Sequence, residues 1–559
     1  MILGAHHLRF EALTTWLLAR RSWVTVLLCL TWMLAGLGGH DPWKPREATV
    51  FGVVLEGLSR GDWLVPTLAG EPYLYHPPLY YRAAGAFGSL LHGLLPLHDA
   101  VRWVNAACAG ASFLLLAATV ARLCGAALAW LAPLVLLGCV GWWLPAHQLL
   151  PENALLLAQS LTVFGLSRAT VALAPAALGA GCGIGVAFLS HGVGAALPLL
   201  LATALLPLAG TAVGPARPGR FLLLCTMVVL PWLVLWPLLL WVRDPAALRV
   251  WWGLQQAALP GGGPVLGWQL ARALAWLAWP ALPFALLALW QGRRRWRSDG
   301  AVAVPGLLLL TTVAVLALSP GRREVLALPL LVPLALLATA ATPALRRGAV
   351  NAFFWFGIAF FALGLTAVWF YFGAVEFGLP ARAARHMARM EPGYASRVPA
   401  WAVLSAATLS LAWLLSLFNV PRAPQRPFVT WASGSVALWS VLMLLMGPWA
   451  DHAKSYRPML SDLRRSLPPG TQCVAARGLG ESQRALVHYH TGTRVRRLDR
   501  DPSAAACPLL LVEGRRGESS VEVPGARLLW EGHRAGDRRE LFRLYRRTAT
   551  APPVRGGKP

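Results

Sequence analysis

Apolar runs of roughly twenty residues, each long enough to cross a hydrocarbon core, alternate with short polar segments over residues 1–446. About thirteen are readable, near 22–38, 101–123, 126–144, 152–166, 171–189, 193–208, 221–242, 268–289, 301–318, 325–341, 352–372, 400–417 and 428–446. One long segment, 39–100, interrupts the series after the first run. Within it, Glu47 to Arg60 places Val50, Phe51, Val54, Leu55 and Leu58 at helical spacing. Pro77-Pro78 opens a second helix, with Leu79, Ala83, Phe87, Leu90, Leu91 and Leu94 on its apolar side. Both patterns predict helices lying on a membrane surface, with two buried helices of an ordinary bundle as the alternative. Beyond 446 the apolar stretches shorten to strand length, at CVAA (473), CPLLLVEG (507), ARLLW (526) and ELFRLY (540), with helical stretches at 454–467 and 482–489. This predicts a small α/β domain over 447–547 and a disordered Pro/Gly-rich tail over 548–559. The fold class expected is an α-helical polytopic membrane protein carrying that domain.

Composition agrees. With 57% hydrophobic and only 13% charged residues in 559, the chain does not read as a soluble protein. A net charge of +26 points to nucleic acid in a soluble protein, but no recognition module accompanies it here. Arginines gather instead in short loops: Arg20-Arg21, Arg122, Arg168, Arg217 and Arg220, 293–297, Arg346-Arg347, and Arg422 with Arg426. All lie on one side if every run spans, and the positive-inside rule makes that side the cytoplasm. The N-terminus is then cytoplasmic, and loop 39–100 and the C-terminal domain are periplasmic. The first run follows Arg20-Arg21 without a small-residue cleavage site, so it reads as a span rather than a signal peptide. No repeat, direct or inverted, is visible, and few charges sit in mid-run, which weighs against a transporter of lipid-linked sugars.

The chemistry-bearing residues converge on the outer side. Loop 39–100 holds Asp41, Lys44, Arg46, Glu47, Asp62, Glu71, His76 and Arg82. His147 and Glu152 lie at the next outer turn, His191 at the one after, and Arg322-Arg323 at a later one. Carboxylates beside cations at a membrane interface suit base or metal chemistry on a phosphate-bearing lipid. Structural roles are open for the same residues: Asp41 as a helix cap, Glu47 as a first-turn acid, His76 packed under Tyr75, His191 as a solvated turn, Glu152 at a helix start.

The run HDPWKPREA…GDWLVPTLAGEPYLYHPPLYY over 40–81 resembles the first periplasmic loop of bacterial GT-C glycosyltransferases that use polyprenyl-phosphate sugars. These are typified by the aminoarabinose transferase that modifies lipid A and are related to protein O-mannosyltransferases. The resemblance extends to the span pattern, the FLSHG segment at 188–192 and the outer C-terminal domain. It implies an inverting transfer of a sugar from undecaprenyl phosphate to a periplasmic-side lipid or glycan acceptor in the inner membrane. Lipids are the partners; nucleic acid is not. An acidic pair is expected at 46–47, where this chain has Arg46-Glu47, and the two phosphate-binding lysines are expected where it has His76 and His191. The implied roles are therefore base or metal ligand for Glu47 and Asp41, with a divalent ion as the only cofactor. Arg46, His76, His191 and Arg82 would bind the donor phosphate, and Glu152 would serve the acceptor or the structure. A catalytically reduced homologue that still binds the lipid carrier is the alternative these departures leave open.

Of eight cysteines, only Cys473 and Cys507 lie in the domain assigned to the periplasm, where disulfides persist. Each opens a predicted strand. If those strands are parallel neighbours, the two can bridge.

Overall fold

The computed structural model describes residues 21–259, 267–319, 324–395, 398–419, 422–516, 523–534, 536–537 and 539–547. Arg20, Arg322-Arg323 and the 548–559 tail lie outside the described residues.

Each predicted apolar run is helical. Eight helices among the described residues are long and apolar enough to cross a membrane. Two bent pairs raise the number to ten: Ala126–Leu137 with Val140–His147, and Ala271–Leu277 with Ala281–Gly292. Three runs give shorter helices: α1 (Arg21–Leu34), Glu152–Ser167 and Val193–Leu205. The 16-residue Glu152–Ser167 helix rises only about 24 Å, less than a typical core of about 30 Å.

One expectation for the first loop is corrected. α2 (Arg46–Arg60) does not simply lie on the surface. Residues Glu47 to Val54 are all buried, because the C-terminal domain covers the side that a surface helix leaves open. Gly52 makes this possible: a Cβ there would fall 2.4 Å from that of Ala485 in the domain. In α3 (Leu79–Leu91) the buried face is Tyr80, Tyr81, Ala84, Gly85 and Gly88. The predicted apolar side points outward, with Leu90 74% and Leu94 83% exposed. Small residues let the helix close on Trp63 and on α4 (Leu97–Leu123), since a Cβ at Gly85 would meet the Trp63 ring at 2.3 Å. Leucine on the outer side suits lipid, so side-chain size rather than polarity marks the packed face.

Between the two helices, β1 (Thr67–Leu68) and β2 (Glu71–Pro72) form a small antiparallel hairpin. The Gly70 amide at its turn donates to both oxygens of buried Glu56, at 2.9 and 3.1 Å. Much of the GDW…GEPY sequence thus serves to fold the loop.

The C-terminal domain has a five-stranded sheet in the order β4-β3-β5-β7-β6. The strands are β3 (Cys473–Arg477), β4 (Arg494–Arg497), β5 (Leu509–Arg515), β6 (Ala526–Gly532) and β7 (Glu540–Arg547). β4, β3 and β5 are parallel; β7 and β6 are antiparallel to their neighbours. Alternation along β3 sends Val474 and Ala476 toward the helices Arg457–Ser466 and Glu481–Thr491, and Cys473 and Ala475 to the other face. β3 and β5 are parallel neighbours, and Cys473 and Cys507 are bonded, with Cα atoms 5.6 Å apart.

The helices Glu152–Ser167 and Leu173–His191 pack backbone to backbone. A Cβ at Gly165 would fall 2.4 Å from the Ala180 amide, and one at Gly183 would fall 2.6 Å from the Ala158 carbonyl. This antiparallel hairpin sets the start of one helix, Glu152, beside the end of the other, His191.

Candidate active site

Four residues from four parts of the sequence meet on that hairpin. Arg46, at the first turn of α2, donates from Nη2 to Glu152 Oε1. His191 Nε2 lies 3.7 Å from the same oxygen. The His76 and His191 rings pack with centroids 4.3 Å apart. Glu152 is fully buried, whereas the Arg46 side chain is 33% and that of His191 17% exposed. Partly open cationic or protonatable groups therefore surround a carboxylate that solvent does not reach. Its second oxygen, Oε2, has no hydrogen-bond partner among the described residues.

The His191 turn is fixed from outside. Gly192 has φ +96°, a backbone setting in which side chains are strained, and a Cβ would also strike Gln255. Gln255, buried on the helix Pro245–Ala258, accepts from the Val193 amide at 2.9 Å. The same helix borders an apolar groove of about 550 Å³, lined by Phe188, three residues before His191, and by Leu233, Pro237, Leu248, Arg249, Trp251 and Trp252.

Glu47 and Asp41 have other partners. Glu47 is buried and accepts from Arg102 Nε at 2.8 Å, the Leu149 amide at 3.1 Å and the Trp43 amide at 3.0 Å. Burial alone pushes its carboxyl up, but Arg102 and His40 outweigh it and hold the group below the ordinary value. Arg102, itself 1% exposed, also donates to Asp99 Oδ1 at 2.7 Å and to the His40 and Asp41 carbonyls at 2.8 and 3.1 Å. Asp41 turns its carboxylate away, to Ser455 and to Arg457 Nε at 3.0 Å. Burial raises this group too, and hydrogen bonds from Ser455 and Arg457 reverse the shift. The Asp41 amide donates to Asp451 Oδ1 at 2.8 Å, so the start of the loop is tied to the base of the C-terminal domain.

This donor set does not fit a divalent ion. Both carboxylates are already engaged by arginine, and no group of three or more metal-ligating side chains converges among the described residues. Arg82 is exposed on α3 and enters none of these bonds. His147 is buried against Trp32 and Trp439. Sequence reasoning passed over Arg102, Gln255 and Arg457. Arg102 had one visible signal: a charge at the head of an apolar run, three residues after Asp99, is costly unless paired. Gln255 and Arg457 had none.

No family model and no curated relative matches the sequence. Solved structures do match in fold. The chain is similar to the crystal structure of ArnT from Cupriavidus metallidurans bound to undecaprenyl phosphate, at 17% identity and a TM-score of 0.71, over 95% of this chain and 99% of that one. It is equally similar to the apo state of that protein, at 16% identity and a TM-score of 0.71, over 95% and 98%. The likeness takes in helical bundle and sheet domain together, and bears out the expected fold, a polytopic helical protein with a small C-terminal α/β domain.

Proposed function

We propose that this protein transfers a sugar from a polyprenyl-phosphate carrier to an acceptor at the outer face of the inner membrane. The observation that carries the reading is the meeting of Arg46, His76 and His191 over buried Glu152. Arg46 donates to Glu152 while its side chain stays 33% exposed, which places a guanidinium within reach of a phosphate. His76 and His191 bring ring nitrogens to the same place, beside a donor phosphodiester that carries one negative charge before transfer and gains a second as it leaves. The apolar groove at Phe188 suits part of a polyprenyl chain in its lining. The helix Pro245–Ala258 supplies both Trp251 and Trp252 to that groove and Gln255 to the His191 turn, so tail binding and headgroup binding share one support. An undecaprenyl-phosphate ligand in the ArnT structure supports the same carrier class here.

In the step itself, an acceptor oxygen attacks the anomeric carbon as the bond to the carrier phosphate breaks. The phosphate leaves with the electron pair, and the configuration inverts. Arg46 and the two histidines stabilise the leaving charge. Where the acceptor is a hydroxyl, the leaving phosphate takes its proton, and Glu152, closed to solvent, holds Arg46 in place. A phosphate acceptor, as on lipid A, needs no strong base. Glu47 is a positioning residue: with Arg102 it holds the Leu149 amide, three residues before Glu152. Labelled-sugar transfer from an undecaprenyl-phosphate donor to a membrane glycolipid, by protein in vesicles, is the test. Carrier binding without transfer to any lipid acceptor would favour the reduced homologue.

A further inference from the structure

The helix Ala381–Met390 (ARAARHMARM) takes no part in the candidate site. At 3.6 residues per turn, Arg382, Arg385, His386 and Arg389 fall within an arc of about 100°, and all four are exposed. The opposite side carries Ala383, Ala384 and Met387, and Met387 is buried with Phe372 and Trp413. The helix therefore rests on the bundle by its apolar side and turns a row of three arginines and a histidine outward. It contains no acidic residue.

Its surroundings place that row at a bilayer surface. The preceding helix ends with Phe377, 71% exposed, and Leu379 beyond it is 68% exposed. The following helix opens with Trp401, 64% exposed. Exposed aromatics at the ends of spans mark the headgroup level. Both flanking spans are peripheral, with only 28% and 17% of their apolar windows buried, so bilayer lipid reaches the helix. A Cβ at Gly536 would fall 2.2 Å from Glu391 Oε1, and Tyr394 packs 5.4 Å from His452. The segment that follows the row thus lies against the C-terminal domain. Arg346 and Arg347 lie at the far end of the preceding helix, about 46 Å away by helical rise. Orientation by basic loops on one side does not account for arginines on both.

We propose that the Ala381–Met390 helix is a docking surface for the phosphate headgroups of anionic bilayer lipids. Charge complementarity selects the occupant: three guanidinium forks match phosphate oxygens, and each arginine near a surface favours anionic lipid about fivefold. The proposal rests on neither the sugar donor nor the acceptor, so it stands or falls apart from the transferase reading.

The test is amide hydrogen exchange of residues 381–390 in the full-length protein. Nanodiscs of phosphatidylcholine are compared with nanodiscs that also contain phosphatidylglycerol. Exchange is expected to slow in the anionic discs, the difference to vanish at high salt and in the Arg382→Gln/Arg385→Gln/Arg389→Gln variant, and to persist in the corresponding triple lysine variant. Equal exchange in both discs overturns the proposal. So does a difference that survives both high salt and the glutamine variant, or slowing reproduced in phosphatidylcholine discs by inorganic phosphate alone. Should the glutamine variant fail to fold, the salt dependence of the unaltered protein decides.

Discussion

Replacing Arg102 by Met tests how the site is held. Its side chain is 1% exposed, as is that of Glu47, so solvent screening does not discount the pair. Arg102→Met leaves Glu47 with two backbone amides and Asp99 with the Gly39 amide, both carboxylates buried and uncompensated. Breaking such a pair costs about 3–5 kcal/mol. Glu47→Gln keeps the shape and loses a charge-assisted bond, at about 1.5–3 kcal/mol. In the double variant no charge remains stranded at 47, so the cost falls short of the sum by about 1–3 kcal/mol. Apparent melting temperatures of the four proteins in detergent give the cycle, and transfer per folded molecule is measured on the same samples. The account expects coupled losses of stability and a Glu47→Gln variant that transfers within about tenfold of the unaltered protein. If Glu47 were the base, its Gln variant would melt normally and lose about 10²–10⁴-fold in rate. Additive stabilities with that loss of rate would refute the positioning role.

Three further outcomes follow from particular contacts. The bond between Cys473 and Cys507, 34 residues apart, should keep both thiols from alkylation until reduction, and Cys473→Ser/Cys507→Ser should cost about 3–4 kcal/mol by the chain-entropy model; alkylation of both without reduction in mass spectra would count against it. Asp41 and Glu47 are held below their ordinary values, so each contributes stability that is complete above about pH 4 and is lost as pH falls through the folded value. Melting temperature should therefore drop at acid pH, less steeply in Asp41→Asn, and an unchanged slope in that variant would remove Asp41 from the lock on the C-terminal domain. For topology, a reporter fused after residue 450 should be active only in the periplasm; cytoplasmic activity would invert the orientation.

Much of the bundle was legible because apolar length is a local property. The C-terminal strands were legible for the same reason, except β4: RVRR carries no apolar run, and only its parallel pairing with β3 makes it a strand. The packed face of α3 left no apolar signal, because Tyr80 and Gly88 face α4 and Gly85 faces Trp63 while Leu90 points outward, an inversion of the soluble pattern. Arg46, His76, His191 and Glu152 were each visible, but their meeting depends on glycines at 165 and 183 that bring two helices into backbone contact. The partners of Asp41 and Glu47 were not visible. Arg457 lies 416 residues from Asp41, and Arg102 lies 55 from Glu47; neither separation leaves a mark on the sequence.

The central claim is sugar transfer at the Arg46 cluster. Purified protein in vesicles, given a labelled sugar on undecaprenyl phosphate and a lipid A acceptor, should move label to the acceptor. Arg46→Ala should raise the Michaelis constant for the donor by about tenfold or more, as loss of a charge-assisted phosphate contact implies. Converting His76 and His191 to lysine should lower that constant or leave it unchanged. Transfer unaffected by Arg46→Ala and Glu152→Gln, in protein that melts normally, would contradict the assignment of the site.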